Sequence, residues 1–173
     1  MENNSLILGI DPGLNFTGWG IVESLSNKEN HVSHGVIKTT KTSSLGERLN
    51  TIYENLNKII DQYDPKEISV EKIFSNSNPD STMKLGKARG IIFLVAARKK
   101  LNISEYSPNT IKKNLVGYGH ADKIQIKKMI ERIYPNIKIE NEDSADALAV
   151  AICHSMQAKS KLNVKGIWAW LLN

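Results

Sequence analysis

Leu6-Ile7-Leu8-Gly9-Ile10-Asp11-Pro12-Gly13 decides how this chain is read. Leu6 to Ile10 is a short apolar run that ends abruptly at a turn signal, which predicts a buried strand. Asp11 then stands at the strand's carboxyl end, where open α/β sheets bind ligands. Taken alone, Asp11-Pro12-Gly13 reads equally well as a plain turn. Downstream, Trp19 to Glu23 and His31 to Lys38 predict two more strands, and their short connections favour antiparallel pairing. Gly18 and Gly20 keep the second of these strands slim.

Ser44-Leu45-Gly46-Glu47 has the Ser and Glu of a capping box. Leu45, Leu49, Ile52, Leu56, Ile59 and Tyr63 follow at helical spacing, and the helix ends before Pro65. Ile68, Val70 and Ile73 predict a fourth strand that carries Glu71. Ser75 to Asp80 is a polar loop. Pro79-Asp80-Ser81 starts a helix that runs to about Lys100, and Ile103 to Tyr106 is a fifth strand. Pro108 and Gly117 bracket a short helix. Ala121 to Tyr134 is another helix, and Asp143 to about Lys159 is the last. This order predicts an α/β fold with a mixed five-stranded sheet flanked by helices, the order of ribonuclease H-like folds.

The 173 residues suit one domain, here placed at 1–158 with a C-terminal tail at 159–173. Hydrophobic residues make up 40% and no run approaches the length of a membrane span. The first residues do not read as a signal peptide. The single cysteine, Cys153, excludes an internal disulfide, and no Cys/His cluster has zinc spacing, so a reducing cytoplasm is the expected setting. Net charge is +5, unevenly spread: Lys84 to Arg132 holds 12 Lys/Arg against three acids. Such a segment suggests a polyanion surface, although solvated helix faces would look the same.

Two features concern chemistry. Glu71 sits in an otherwise apolar strand, where a buried carboxylate is costly unless paired or metal-bound, yet the alternation also permits a solvated face. Asp143 and Asp146 stand three apart at a helix start, on one face near the positive helix end. One of them could serve only as a cap. Carboxylates in such a set suit Mg²⁺ or Mn²⁺, and a pair of such ions can support phosphodiester hydrolysis.

Together these segments resemble the RuvC family of Holliday-junction resolvases from Leu6 to about His154. The matching residues are Leu8 to Gly13 with Thr17-Gly18-Trp19-Gly20, then Glu71-Lys72-Ile73-Phe74 and Leu85-Gly86-Lys87-Ala88-Arg89-Gly90. Lys112, Val116-Gly117 and Asp143 to Ala149 complete the set. The resemblance implies a crossover junction endodeoxyribonuclease that makes symmetric paired nicks in four-way junction DNA. It implies two Mg²⁺ per subunit, replaceable by Mn²⁺, held by Asp11, Glu71, Asp143 and Asp146. Lys112 and Lys123 would contact phosphate near the scissile bond, and Phe74 would stack on an unpaired base. Lys84, Lys87, Arg89 and Lys113 are expected among the DNA-facing cations, whereas Tyr118 is expected to be structural. The resemblance also implies a homodimer, with Gly86 and Gly90 allowing close approach of the Ser81 to Lys100 helix, and a branch-migration motor complex as partner.

The end of the chain, Lys165 to Leu172 with Trp168 and Trp170, departs from the family's usually polar tail. Three rivals stand beside this reading. An actin-like ATPase also uses Asp-x-Gly after a first strand, but needs a second copy that the sequence lacks. A ribonuclease H would cut RNA–DNA hybrids. A binding module without cleavage would gain nothing from acids facing phosphates.

Overall fold

The computed structural model describes the backbone of residues 5–26, 28–72 and 79–171, and the side chains of 5–26, 28–72 and 82–160. Three strands open the fold: β1 (Ser5–Asp11), β2 (Phe16–Ser24) and β3 (Glu29–Lys38). Helix α1 (Leu45–Tyr63), strand β4 (Glu67–Glu71), helix α2 (Pro79–Lys99) and strand β5 (Asn102–Tyr106) follow. Three helices close it: α3 (Pro108–Val116), α4 (Lys123–Ile133) and α5 (Glu142–Leu171). The five strands form one mixed sheet in the order β3-β2-β1-β4-β5. β1 pairs antiparallel with β2 and parallel with β4, and β4 pairs parallel with β5. This is the expected ribonuclease H-like arrangement.

Local sequence accounts for the element ends. Ser44 caps α1 by accepting from the Glu47 N–H, and the Glu47 carboxylate accepts from the Ser44 N–H at 2.7 Å, completing the capping box. Ser107 caps α3, whose Pro108 sits in the first turn, and Gly117 ends it at φ 93°. α4 starts at Lys123 rather than Ala121 because Asp122 is its cap, paired with Gln125. β4 stops at Glu71; Ile73, expected within it, lies outside the described residues, as does Phe74. α5 continues to Leu171, past the boundary at 158 expected from sequence.

Strand alternation divides the core into two layers. Leu8, Ile10, Ile21, Ile68 and Val70 face α1 and α2, where they meet Ile52, Leu56, Ala88 and Ile92. Ile7 and Val22 face the other way, towards α3, α4 and α5. A glycine stripe lets α5 lie unusually close on that second face. A Cβ on Gly9 would stand 2.1 Å from the Ala147 carbonyl oxygen, and one on Gly18 would stand 1.9 Å from that of Asp143. One on Gly20 would strike the Leu148 side chain at 2.7 Å. Ala145, Ala147, Ala149 and Ala151 supply the matching small residues, all buried, along α5. This close contact sets where the start of α5 meets the sheet.

Candidate active site

Asp11 is the last residue of β1, and alternation places it on the same side as Ile7 and Gly9, under α5. β4 runs beside β1 with Ile10 level with Val70, so Glu71 stands next to Asp11 at the carboxyl ends of two parallel strands. Ile68 and Val70 belong to the opposite core layer, which puts Ser69 and Glu71 on the α5 side. The ambiguity in Glu71's face is thereby resolved: its half-buried carboxylate points at the helix layer. α5 brings the remaining two acids, because its first turn rests on Gly18, the β2 partner of Asp11. The Asp143 N–H donates to Asn141 Oδ1 at 2.8 Å, and Ser144 Oγ donates to the Asn141 carbonyl at 2.8 Å. Asn141 therefore anchors the helix start and leaves both aspartate carboxylates free of capping.

Asp11, Glu71, Asp146, Lys112 and Lys123 line one cavity of about 340 Å³, walled on its apolar side by Ile111, Ile126 and Ala149. Asp143 stands beside the cavity, close enough to act on the charges of Asp11 and Asp146. Burial, and then the charges of Asp146, Glu71 and Asp143, push the Asp11 carboxyl up to about 8. Glu71 is raised by burial and by Asp146, with Lys112 and Lys123 pulling it back. Asp146 is likewise raised by burial, and Lys123 opposes the shift. Lys123 Nζ lies 3.3 Å from Asp146 and 3.4 Å from Glu142, and Asp146 raises its pKa. At 67% side-chain exposure that ammonium is well screened, and such a pair contributes ~0–1 kcal/mol.

The acids thus outnumber the cations that could satisfy them, and all are oxygen donors, the set that hard divalent ions such as Mg²⁺ or Mn²⁺ take. Among the described residues no three acid, histidine or cysteine side chains converge tightly enough to close round a single ion. Asp11, Glu71 and Asp146 instead line the cavity at separate points, with Asp143 beside it.

The other expected DNA-facing residues are dispersed. Lys84 and Lys87 are exposed on α2. Lys113 lines a separate cleft with Asn109, Asn114 and Gln157, because a helix turns about 100° per residue and carries it away from Lys112. Arg89 departs from expectation. Its guanidinium is turned inward, with 13% of the side chain exposed, and donates to the Glu71 carbonyl and to the Glu105 carboxylate. Two formal partners inside the protein leave it poorly placed to meet phosphate. Glu142, which shares Lys123 with Asp146, went unnoticed in the sequence; only the meeting of α4 with α5 reveals it. Tyr118 is 46% exposed on the loop after α3, not packed into the core.

A larger, more open cleft of about 880 Å³ lies at the opposite end of the sheet, between the β2–β3 hairpin and residues 133–137. It is remote from the carboxylates.

Residues 7–154 match the family described as crossover junction endodeoxyribonuclease RuvC. Proteins of that name from Rhizobium etli and Brucella ovis are 43% and 40% identical to this chain. The first match covers 90% of this chain and 92% of the relative, the second 99% of each. Among solved structures, Thermus thermophilus RuvC in complex with a Holliday junction substrate superposes with a TM-score of 0.85 at 27% identity, covering 91% of this chain and 96% of that one. A yeast mitochondrial Holliday junction resolvase shares the fold, with a TM-score of 0.64 at 15% identity over 90% of this chain and 80% of that one.

Proposed function

This chain belongs to the RuvC family of crossover junction endodeoxyribonucleases, and we propose that it resolves four-way DNA junctions by symmetric paired nicks. One observation carries the reading. Three carboxylates, Asp11, Glu71 and Asp146, share a cavity with Lys112 and Lys123, and Asp143 stands beside them. A concentration of negative charge on a surface meant for phosphates is unfavourable unless cations bridge the two.

Asp11, Glu71, Asp143 and Asp146 would hold two divalent ions, Mg²⁺ with Mn²⁺ as a substitute. When bound, such ions supply Lewis acidity and offset the charge that builds on the phosphate during hydrolysis. The chain's own groups do the rest. Lys112 and Lys123 offer ammonium charges at the cavity wall, where they attract and orient a phosphodiester. Ile111, Ile126 and Ala149 keep one side of the cavity apolar, which strengthens every charge interaction inside it. Lys84, Lys87 and Lys113 would follow the DNA backbone further out, and Phe74 would stack on an unpaired base, a contact of ~1–3 kcal/mol. Residues 1–158 form the nuclease domain in this reading.

Paired nicks need two active sites related by a two-fold axis. The outer face of α2 supports a homodimer. Met83, Leu94 and Phe93 are 61%, 50% and 37% exposed there, and nothing lies within 4 Å of where a Cβ on Gly86 or Gly90 would be. The branch-migration complex remains a partner supported by family membership alone.

The test is cleavage of a synthetic four-way junction beside linear duplex of the same sequence, with Mg²⁺ and with EDTA. Paired, metal-dependent nicks in the junction alone are expected. Junction binding that leaves the DNA intact in Mg²⁺ would instead identify a binding module.

A further inference from the structure

The peptide unit that joins Glu71 to Lys72 is held at both ends. Its N–H donates to the Tyr106 carbonyl at 2.8 Å, and its C=O accepts from the Arg89 guanidinium. The first contact continues the β4–β5 ladder. The second comes from α2, eighteen residues further along the chain. Fixing this peptide plane fixes ψ of Glu71, and with it the direction in which the carboxylate leaves the strand end.

Arg89 is itself held. Its second arm pairs with Glu105, the β5 residue level with Val70, and its guanidinium lies 5.2 Å from the centroid of the Phe93 ring one turn along α2. The planar fork thus spans β4 and β5 and is covered by an aromatic on the helix face that the dimer reading would bury. A lysine could carry the charge but not both contacts at once.

We propose that Arg89 is the positioning residue of Glu71: it pins the Glu71–Lys72 peptide so that the Glu71 carboxylate is presented to the cavity. Arg89 touches neither cavity nor DNA in this role. The inference rests on the nuclease reading for its effect on cleavage, but its effect on cation binding does not.

Arg89→Lys and Glu105→Gln test it through three measurements: Mn²⁺ binding to the protein without DNA, junction binding in EDTA, and single-turnover junction cleavage. Removing an outer partner of a metal-binding group weakens metal affinity by about 10–100-fold, and Arg89→Lys is expected at the lower end of that range. Its cleavage should fall by a similar factor, while junction binding in EDTA stays within about twofold of the parent, since no phosphate contact is lost. Glu105→Gln should shift the first and third measurements in the same direction by less. Parental Mn²⁺ affinity in a folded Arg89→Lys would overturn the proposal. So would junction binding in EDTA that falls as far as cleavage, because Arg89 would then be a DNA contact. Should Arg89→Lys fail to fold, parental Mn²⁺ affinity in Glu105→Gln overturns it. If the parent bound Mn²⁺ but cut no junction, the nuclease reading would fail while the Mn²⁺ comparison still decided the role of Arg89.

Discussion

The two ends of the sheet treat their acids in opposite ways. At the end where β2 meets β3, Glu29 accepts from Ser155 Oγ at 2.8 Å and pairs with Lys159 at 2.7 Å, with 11% of its side chain exposed. Nearby, Glu67 meets His154 Nε2 at 2.9 Å, and Tyr106 satisfies the other ring nitrogen. Every acid named there has a partner within the chain. At the carboxyl ends of β1 and β4, burial is comparable but partners are scarce: Asp11, Glu71 and Asp146 all have raised pKa values, and among the described residues only Lys123 comes within ion-pair reach. The first arrangement is what acids need to stabilise a fold. The second is the arrangement that a site for an incoming cation needs.

Substitutions at the two ends should therefore differ in kind. The largest effect is expected for Asp11→Asn, which removes a cation ligand with little change in volume. Cleavage should fall by ~10³-fold or more, since several kcal/mol of transition-state stabilisation depend on the ions, while junction binding in EDTA persists. Single-turnover kinetics with parallel gel-shift assays measure both. Lys112→Ala should reduce cleavage by about 10²–10³-fold, and the slope of log K against log salt should shrink by about one. An unchanged slope would remove Lys112 from the phosphate contacts.

Two smaller effects concern stability. Asp11 ordinarily titrates near 3.8 and is pushed up to about 8 in the fold, so the folded protein binds more protons than the unfolded chain between those values. Without divalent ions, stability should therefore fall as pH rises from about 4 to about 8. Asp11→Asn should flatten that dependence in urea titrations with EDTA; an equally steep dependence would mean that another group causes it. At the other end, Glu29→Gln should cost about 1–2 kcal/mol of stability by removing the ion pair with Lys159, whose ammonium keeps only the Lys28 carbonyl, with cleavage unaffected. A loss of cleavage there would show that the two ends are not independent.

Much of the carboxylate end is legible in the sequence alone, whereas the satisfied acids Glu29 and Glu67 at the other end carry no local signal. The apolar run ending at Asp11, the capping box at Ser44 and Glu47, and the spacing of Asp143 and Asp146 are local signals, and β1, α1 and α5 begin within a residue of where they point, although α5 runs further than expected. Glu71 was harder. β4 is buried on both faces, so its alternation carries no inside–outside signal, and only the packing of α5 against Gly9, Gly18 and Gly20 assigns a side. Arg89 misled for a related reason. It sits among lysines that are exposed, and nothing local distinguishes it; its inward turn is set by Glu105 and by a backbone carbonyl on a different strand. Lys112 and Lys113 are neighbours in sequence, yet face different cavities.

The most direct test of the account is calorimetric titration of Mn²⁺ into the DNA-free protein at pH 7, repeated in buffers of different ionisation enthalpy. With Asp11 titrating at about 8, most of the protein carries a proton there that a cation must displace. The account predicts saturable binding with release of roughly one proton per subunit, and loss of both the binding and the release in Asp11→Asn. Saturable binding that survives unchanged in Asp11→Asn, or no binding at all to the parent, would contradict it.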